Sequence, residues 1–113
     1  MTEEARPHLD DWERAGEVPR ALHRVAGGIG LLGAAFPEDV GGGGGSLLDS
    51  LVITEETLYS GGCGGLIAAL YTGGIAVPHI VAAGDRRQIE RWVRPTLAGE
   101  LIGSLAVTEP DGG

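Results

Sequence analysis

The stretch Leu97-Ala98-Gly99-Glu100-Leu101-Ile102-Gly103-Ser104-Leu105-Ala106-Val107-Thr108-Glu109-Pro110-Asp111-Gly112-Gly113 closes the chain, and its reading decides the fold. Up to Leu97 apolar residues recur at helical spacing; after Ala98-Gly99 that period is lost. Ile102, Leu105 and Val107 stand among small residues with no three-to-four stripe, which predicts a strand. Glu109-Pro110-Asp111-Gly112-Gly113 is strong turn chemistry that ends it. A lone strand is not stable without a partner, so residues 100–113 are expected to begin an incomplete β-domain that continues downstream, and residues 1–99 to form an all-helical domain.

Working outward from there, the rest of the chain reads as helices. Ile89, Trp92, Val93 and Leu97 make one apolar face after a restart at Gly84-Asp85. From Tyr59 to Gly84 there is no Asp, Glu, Lys or Arg, long enough to raise a membrane span. Its glycines, Pro78 and His79 favour instead a helix buried among other helices. One helix is expected around Leu66 to Thr72 and a second, or a kinked continuation, to Ala83. A boundary is expected near Val77, because Pro78 costs a backbone hydrogen bond inside a helix. Before that, Ser46 offers an N-cap with Asp49 in the first turn, and Leu47, Leu48, Leu51, Val52 and Leu58 are expected to form the buried face. Pro19 suits a first helical position, and Leu22, Val25, Ala26 and Ile29 make an amphipathic stripe after it. Pro7 to Ala15 reads as the end of a further helix.

With 113 residues there is room for one compact domain. Hydrophobic residues make up 42% of it and aromatic ones only 4%, with 21 glycines, so closely approaching helices are expected rather than aromatic anchors. The net charge of −8 argues against nucleic acid, which needs a basic patch. Cys63 is the single cysteine and permits no internal disulfide. An acidic start without a signal-type apolar run points to a cytoplasmic address.

Candidate chemistry is sparse. The Gly41–Gly45 run has no following Lys at P-loop spacing and no preceding strand, and reads as a flexible connection. Cys63 reads as a buried small residue. His8, His23 and His79 lack metal spacing, so no metal site is expected and each reads as a surface or satisfied core histidine. Glu55 and Glu56 are neighbours that cannot face each other on a helix. The strand-to-turn junction at Thr108 differs, because it can expose backbone N–H groups and a hydroxyl to a ligand, although the residues by themselves favour a plain turn over a cofactor site.

Taken in order, Gly30-Leu31-Leu32-Gly33, Phe36-Pro37-Glu38-Asp39-Val40-Gly41-Gly42, Ala82-Ala83-Gly84-Asp85-Arg86-Arg87-Gln88, Leu97-Ala98-Gly99-Glu100-Leu101-Ile102-Gly103 and Ala106-Val107-Thr108-Glu109-Pro110-Asp111-Gly112-Gly113 resemble the acyl-CoA dehydrogenase family. The likeness runs from about Pro7 to the end. It implies a helical amino-terminal domain, then a β-barrel-like middle domain and a carboxy-terminal four-helix bundle. It implies FAD as cofactor, with Thr108 on the flavin ring and Leu105, Val107, Gly112 and Gly113 lining the isoalloxazine side. The family's next residues are usually Ser-Asp, which this chain does not reach. The helix around Leu66 to Gly74 would line the acyl-tail cavity, with Leu70, Gly73 and Gly74 as substrate contacts.

The reaction so implied removes the α-proton of an acyl-CoA and passes the β-hydrogen to flavin as hydride, giving a trans-2-enoyl-CoA. The family places its carboxylate base in the carboxy-terminal domain, so no catalytic residue is assigned here and the 113 residues alone are expected to be inactive. An electron-transfer partner and a full-length homo-oligomer are expected by the same likeness. Two other readings stay open: a same-fold flavoprotein oxidase or monooxygenase, and a non-enzymatic helical module that binds a partner.

Overall fold

A computed structural model of the chain describes residue 1 and residues 3–112. Among the described residues its regular structure is all helical, in six stretches: α1 (Leu9–Ala15), α2 (Arg20–Gly28), α3 (Leu47–Tyr59), α4 (Gly64–Tyr71), α5 (Gly73–Ala83) and α6 (residues 86–97). Short 3-10 turns at Arg6–His8 and Glu38–Val40 precede α1 and interrupt the α2–α3 loop.

Local chemistry accounts for most of the boundaries. Gly16 ends α1 in the left-handed region at φ 73°, its amide bonded to the Trp12 carbonyl at 2.9 Å, the usual glycine terminator. Pro19 is the extended residue before α2, with ψ 143°, and the helix begins one residue later than the proline predicts. At α3 the amide and hydroxyl of Ser46 both donate to the Asp49 carboxylate, at 2.6 and 2.7 Å. At α6 the Asp85 amide donates to Gln88 Oε1 and the Gln88 amide to Asp85 Oδ1, each at 2.8 Å, a reciprocal capping box.

Several expectations give way to packing. In α2 the inward residues are Leu22, His23 and Ala26, while Val25 and Ile29 are exposed. The cause is a backbone contact. A Cβ on Gly27 would collide with the Ala98 carbonyl, and one on Gly99, at φ +75°, with the His23 carbonyl. Two glycines thus let α2 lie flush on the chain after α6, and that contact turns His23 inward.

The Gly42, Gly43, Gly44 and Gly45 amides donate to the carbonyls of Pro37, Gly33, Phe36 and Ala34 at 2.8–2.9 Å. The run is therefore a hydrogen-bonded loop rather than a slack connection, and these amides are spent.

The long apolar segment breaks at Thr72, not near Val77, and Pro78 sits inside α5. Restarting the helix at Gly73-Gly74 puts glycine at the carbonyl Pro78 would have bonded, so the proline costs one hydrogen bond while Val77 is buried beside it. By length and composition Gly64–Ala83 could cross a membrane, at 20 residues and mean hydropathy 1.7, and 17% of that window is buried. Its burial is one-sided, through Leu66, Leu70 and Val77, rather than the enclosure expected from its lack of charge. In α6 a π stretch at Ile89–Val93 widens one turn ahead of Pro95. Val93 and Leu97 face inward, whereas Trp92 is exposed with the Arg91 guanidinium over its ring at 4.7 Å.

Two small cores result. One joins Ala5, Leu22, Ala26, Leu66 and Leu70; the other joins Val40, Val77, Val93 and Leu97. The face expected to be buried on α3 is instead open: Leu47, Leu48, Leu51, Val52 and Leu58 are all exposed, and Thr57 is the helix's buried residue. Cys63, expected inside, is half-buried at the start of α4. Among the described residues no strand forms: residues 102–109 carry no ladder and residues 110–111 make a turn, because the segment has no neighbouring strand to pair with. Gly113 lies outside the described residues.

Candidate functional site

A largely apolar cavity of about 330 Å³ opens between the α2–α3 loop, α3, the α4–α5 junction and the chain that leaves α6. Its size lies at the lower end of small-molecule sites. Leu70, Gly73 and Gly74 line it together, with Phe36, Ile53, Ile75, Leu97 and Leu101 completing apolar walls. The glycines differ in use. A Cβ on Gly73 would touch Thr96 Cγ2 at 3.4 Å, and Gly103 packs back over Gly73 with 3.3 Å between its would-be Cβ and the Gly73 Cα. Gly74 faces open space, so its missing side chain leaves room in the cavity mouth.

Two polar rings reach the same cavity, His23 from α2 and Tyr71 from the end of α4. His23 is 4% exposed. Its Nε2 lies 3.0 Å from the Ala69 carbonyl, and since a carbonyl only accepts, Nε2 holds the proton. Its Nδ1 is buried without a partner, and the Tyr71 hydroxyl is buried beside the Thr57 hydroxyl. Burial chiefly pushes the Tyr71 phenol above its ordinary value, with a hydrogen bond to the Thr57 hydroxyl acting the other way; Thr57 Oγ1 gives its own proton to the Ile53 carbonyl at 2.7 Å and keeps lone pairs that can accept from Tyr71. Neither ring was singled out by sequence reasoning as a site residue. The available signal was Tyr71 itself, a polar-tipped ring inside a run that carries no charge.

The residues expected on the flavin side lie elsewhere. Leu105, Val107, Thr108 and Gly112 are exposed and do not line the cavity. Leu101, Ile102 and Gly103 do, so the segment starts at the cavity and then leaves it. Among the described residues the amides from 102 to 111 donate to no backbone carbonyl, and the next bond is Gly112 to the Glu109 carbonyl at 3.1 Å. No Asp or Glu lines the cavity, and among the described residues no three His, Cys, Asp or Glu side chains gather as a metal site would need. A second hollow of about 270 Å³, between α1 and α4, is walled by Trp12, Cys63 and Leu66 and contains none of the expected site residues.

Comparison with known proteins gives this geometry a context. Residues 1–100 match the family described as Acyl-CoA dehydrogenase, N-terminal domain. The mouse long-chain specific acyl-CoA dehydrogenase of mitochondria is 43% identical over 111 residues, covering 98% of this chain and 25% of its own length. A crystal structure described as a probable acyl CoA dehydrogenase from Mycobacterium abscessus superposes with a TM-score of 0.93 at 56% identity, covering 99% of this chain and 30% of that one. The acyl-CoA dehydrogenase of Geobacillus kaustophilus gives 0.82 at 34% identity, over 98% of this chain and 29% of its own. The chain thus spans between a quarter and a third of the relatives it matches.

Proposed function

This chain belongs to the acyl-CoA dehydrogenase family, and from that premise we propose that it supplies one wall of the acyl pocket and one edge of the flavin site in an FAD-dependent acyl-CoA dehydrogenase. The observation that carries the reading is the cavity: Leu70, Gly73 and Gly74 meet in one apolar hollow, the environment an acyl tail requires.

The residues of the terminal segment fit a flavin. The Thr108 side chain is exposed, and the amides around it are unspent on other backbone, so donors are available for the heteroatoms of an isoalloxazine ring. Thr108 would hold the ring, with Leu105, Val107, Gly112 and Gly113 beside it. The chemistry such a flavin supplies is acceptance of hydride from the β-carbon of a thioester, paired with loss of the α-proton to give a trans-2-enoyl-CoA.

The work left to this chain is binding and exclusion of water. Phe36, Leu70 and Leu97 present apolar surface to the tail. Their desolvation would also raise the pKa of any carboxylate brought close to them, which suits a base near working pH. Since the cavity wall built here includes no Asp or Glu, the base comes from elsewhere in a longer protein, and the 113 residues alone are proposed to be inactive. An electron-transfer partner that reoxidises the flavin and a homo-oligomeric full-length enzyme belong to the same proposal.

The test is the visible spectrum of the purified full-length gene product, recorded anaerobically before and after acyl-CoAs are added. Bleaching of a flavin band by an acyl-CoA is the expected result. A flavin indifferent to every thioester would favour a same-fold oxidase or monooxygenase, and a protein without flavin would overturn the reading.

A further inference from the structure

One wall of the cavity is a loop bonded to itself. Within residues 33–45 the Gly43, Gly44 and Gly45 amides donate to the carbonyls of Gly33, Phe36 and Ala34, and a Cβ on Gly42 would collide with the Phe36 carbonyl. A loop closed by its own bonds moves as one piece. Whatever fixes one point of it therefore fixes Ala34, Ala35 and Phe36, which line the cavity. Two ties hold this piece to α6. Val40 is buried with Val93 and Leu97, which sets how deep the loop sits, but apolar burial is non-directional. The directional tie is Arg94.

Arg94 Nη2 donates to the Asp39 carbonyl at 2.6 Å, and its Nε to Glu90 Oε1 at 2.9 Å. Among the described residues the Asp39 carbonyl accepts from no backbone amide, so Arg94 satisfies an acceptor that the Glu38–Val40 turn leaves open. The chain then bends away at Gly41, φ +97°, where a Cβ would come within 3.2 Å of Arg94 Nη1; the guanidinium lies over the turn. Its planar fork makes the two bonds in two fixed directions, which a lysine ammonium on a flexible stem does not reproduce. We propose that Arg94 is a positioning residue for the acyl pocket. By clamping Asp39 it holds the 33–45 loop, and the Phe36 wall with it, at a set distance from α3 and α5 across the cavity. Arg94 itself does not line the cavity. The proposal rests on the acyl-CoA dehydrogenase reading, since that reading assigns an acyl tail to this hollow.

The experiment uses the full-length enzyme and a series of straight and branched acyl-CoAs. Arg94→Met keeps an apolar stem and removes both bonds. In it, KM for the preferred thioester is expected to rise roughly threefold to tenfold with kcat within about twofold, the pattern of lost binding rather than lost chemistry. The spread of kcat/KM across the tails should narrow as the wall loosens. Arg94→Lys should restore part of that spread, and Glu90→Gln, which leaves the Asp39 bond in place, should fall between. Arg87→Gln, exposed on the same helix and not on the cavity wall, should leave the series unchanged and controls for charge. Melting temperature and flavin content are read for each variant. A tail spread identical to wild type in Arg94→Met, or a kcat that falls alike for every tail in step with melting temperature, would overturn the inference and leave the dehydrogenase reading intact. Should Arg94→Met not fold, Arg94→Lys and Glu90→Gln decide the same comparison. A wild-type enzyme that oxidises no acyl-CoA would overturn both.

Discussion

Helices α3 and α6 carry comparable apolar stripes in sequence and meet opposite fates in the fold. On α6, Val93 is 0% and Leu97 6% exposed, closed in by Val40 and Val77. On α3, Leu47 is 76% and Leu48 69% exposed, with Leu51 and Val52 also open. Periodicity states which residues share a face of a helix. It says nothing about whether another element covers that face, because the cover is a property of the rest of the molecule. In α6 the cover comes from α5 and the Glu38–Val40 turn; α3 presents its stripe to solvent. The difference separates residues that hold this chain together from residues that give it an apolar surface.

The largest effect expected from this contrast is in stability. Leu97→Ala removes a buried side chain from the second core and should cost about 2–5 kcal/mol, whereas Leu48→Ala, equal in chemistry, should change stability by less than about 0.5 kcal/mol. Chemical denaturation of the 113-residue chain and the two variants measures both from the shift in midpoint. Similar losses in the two variants would mean that the α3 face is covered in solution, and the comparison would break.

A second effect is in association. A bare stripe of leucine and valine on one helix is a contiguous apolar patch of the kind monomers avoid, so the chain alone is expected to self-associate as its concentration rises. Leu48→Glu with Leu51→Glu should shift it toward monomer without unfolding it, because both positions are exposed. Sedimentation velocity across a concentration series reads the outcome. A wild-type chain that stays monomeric throughout would show the patch too small or too broken to drive pairing.

Helix existence was legible in the sequence wherever spacing and end signals agreed, as at Ser46 with Asp49. The chemistry there is local and needs no knowledge of the rest of the chain. Positions set by contact between distant segments were not legible. His23 turns inward because Gly27 and Gly99 touch across more than seventy residues of chain, and no window around His23 contains that fact. Pro78 stays inside α5 because the break falls at Thr72-Gly73, where two glycines already weaken the helix. The stretch 102–109 has strand composition, yet pairing is a relation between two segments and only one is present among the described residues. For the cavity, Leu70, Gly73 and Gly74 were reached through family likeness and the structure gathers them on one wall. The burial of Tyr71 and His23 needed coordinates, since the surroundings of a polar ring are set by segments distant in the chain.

The smallest effect concerns how α3 starts. A helix with a bare face has little tertiary support, so its beginning rests on local bonds, and those converge on Asp49. The Ser46 amide chiefly, and then the Ser46 hydroxyl, hold the Asp49 carboxyl below its ordinary 3.8. A folded-state pKa below the unfolded one means that the contribution is complete above the unfolded value and is lost as pH falls through the folded one. An NMR titration should therefore place the Asp49 carboxyl midpoint below 3.8, with the Ser46 amide moving at the same pH as its bond to the carboxylate is lost. In Asp49→Asn that movement should vanish, since the amide side chain does not titrate. The group is fully exposed, so the change should stay within the first turn of α3 and leave the Val93 and Leu97 signals still. A midpoint at or above 3.8 would remove the local anchor, and α3 would then need the tertiary cover that its exposed leucines show it lacks.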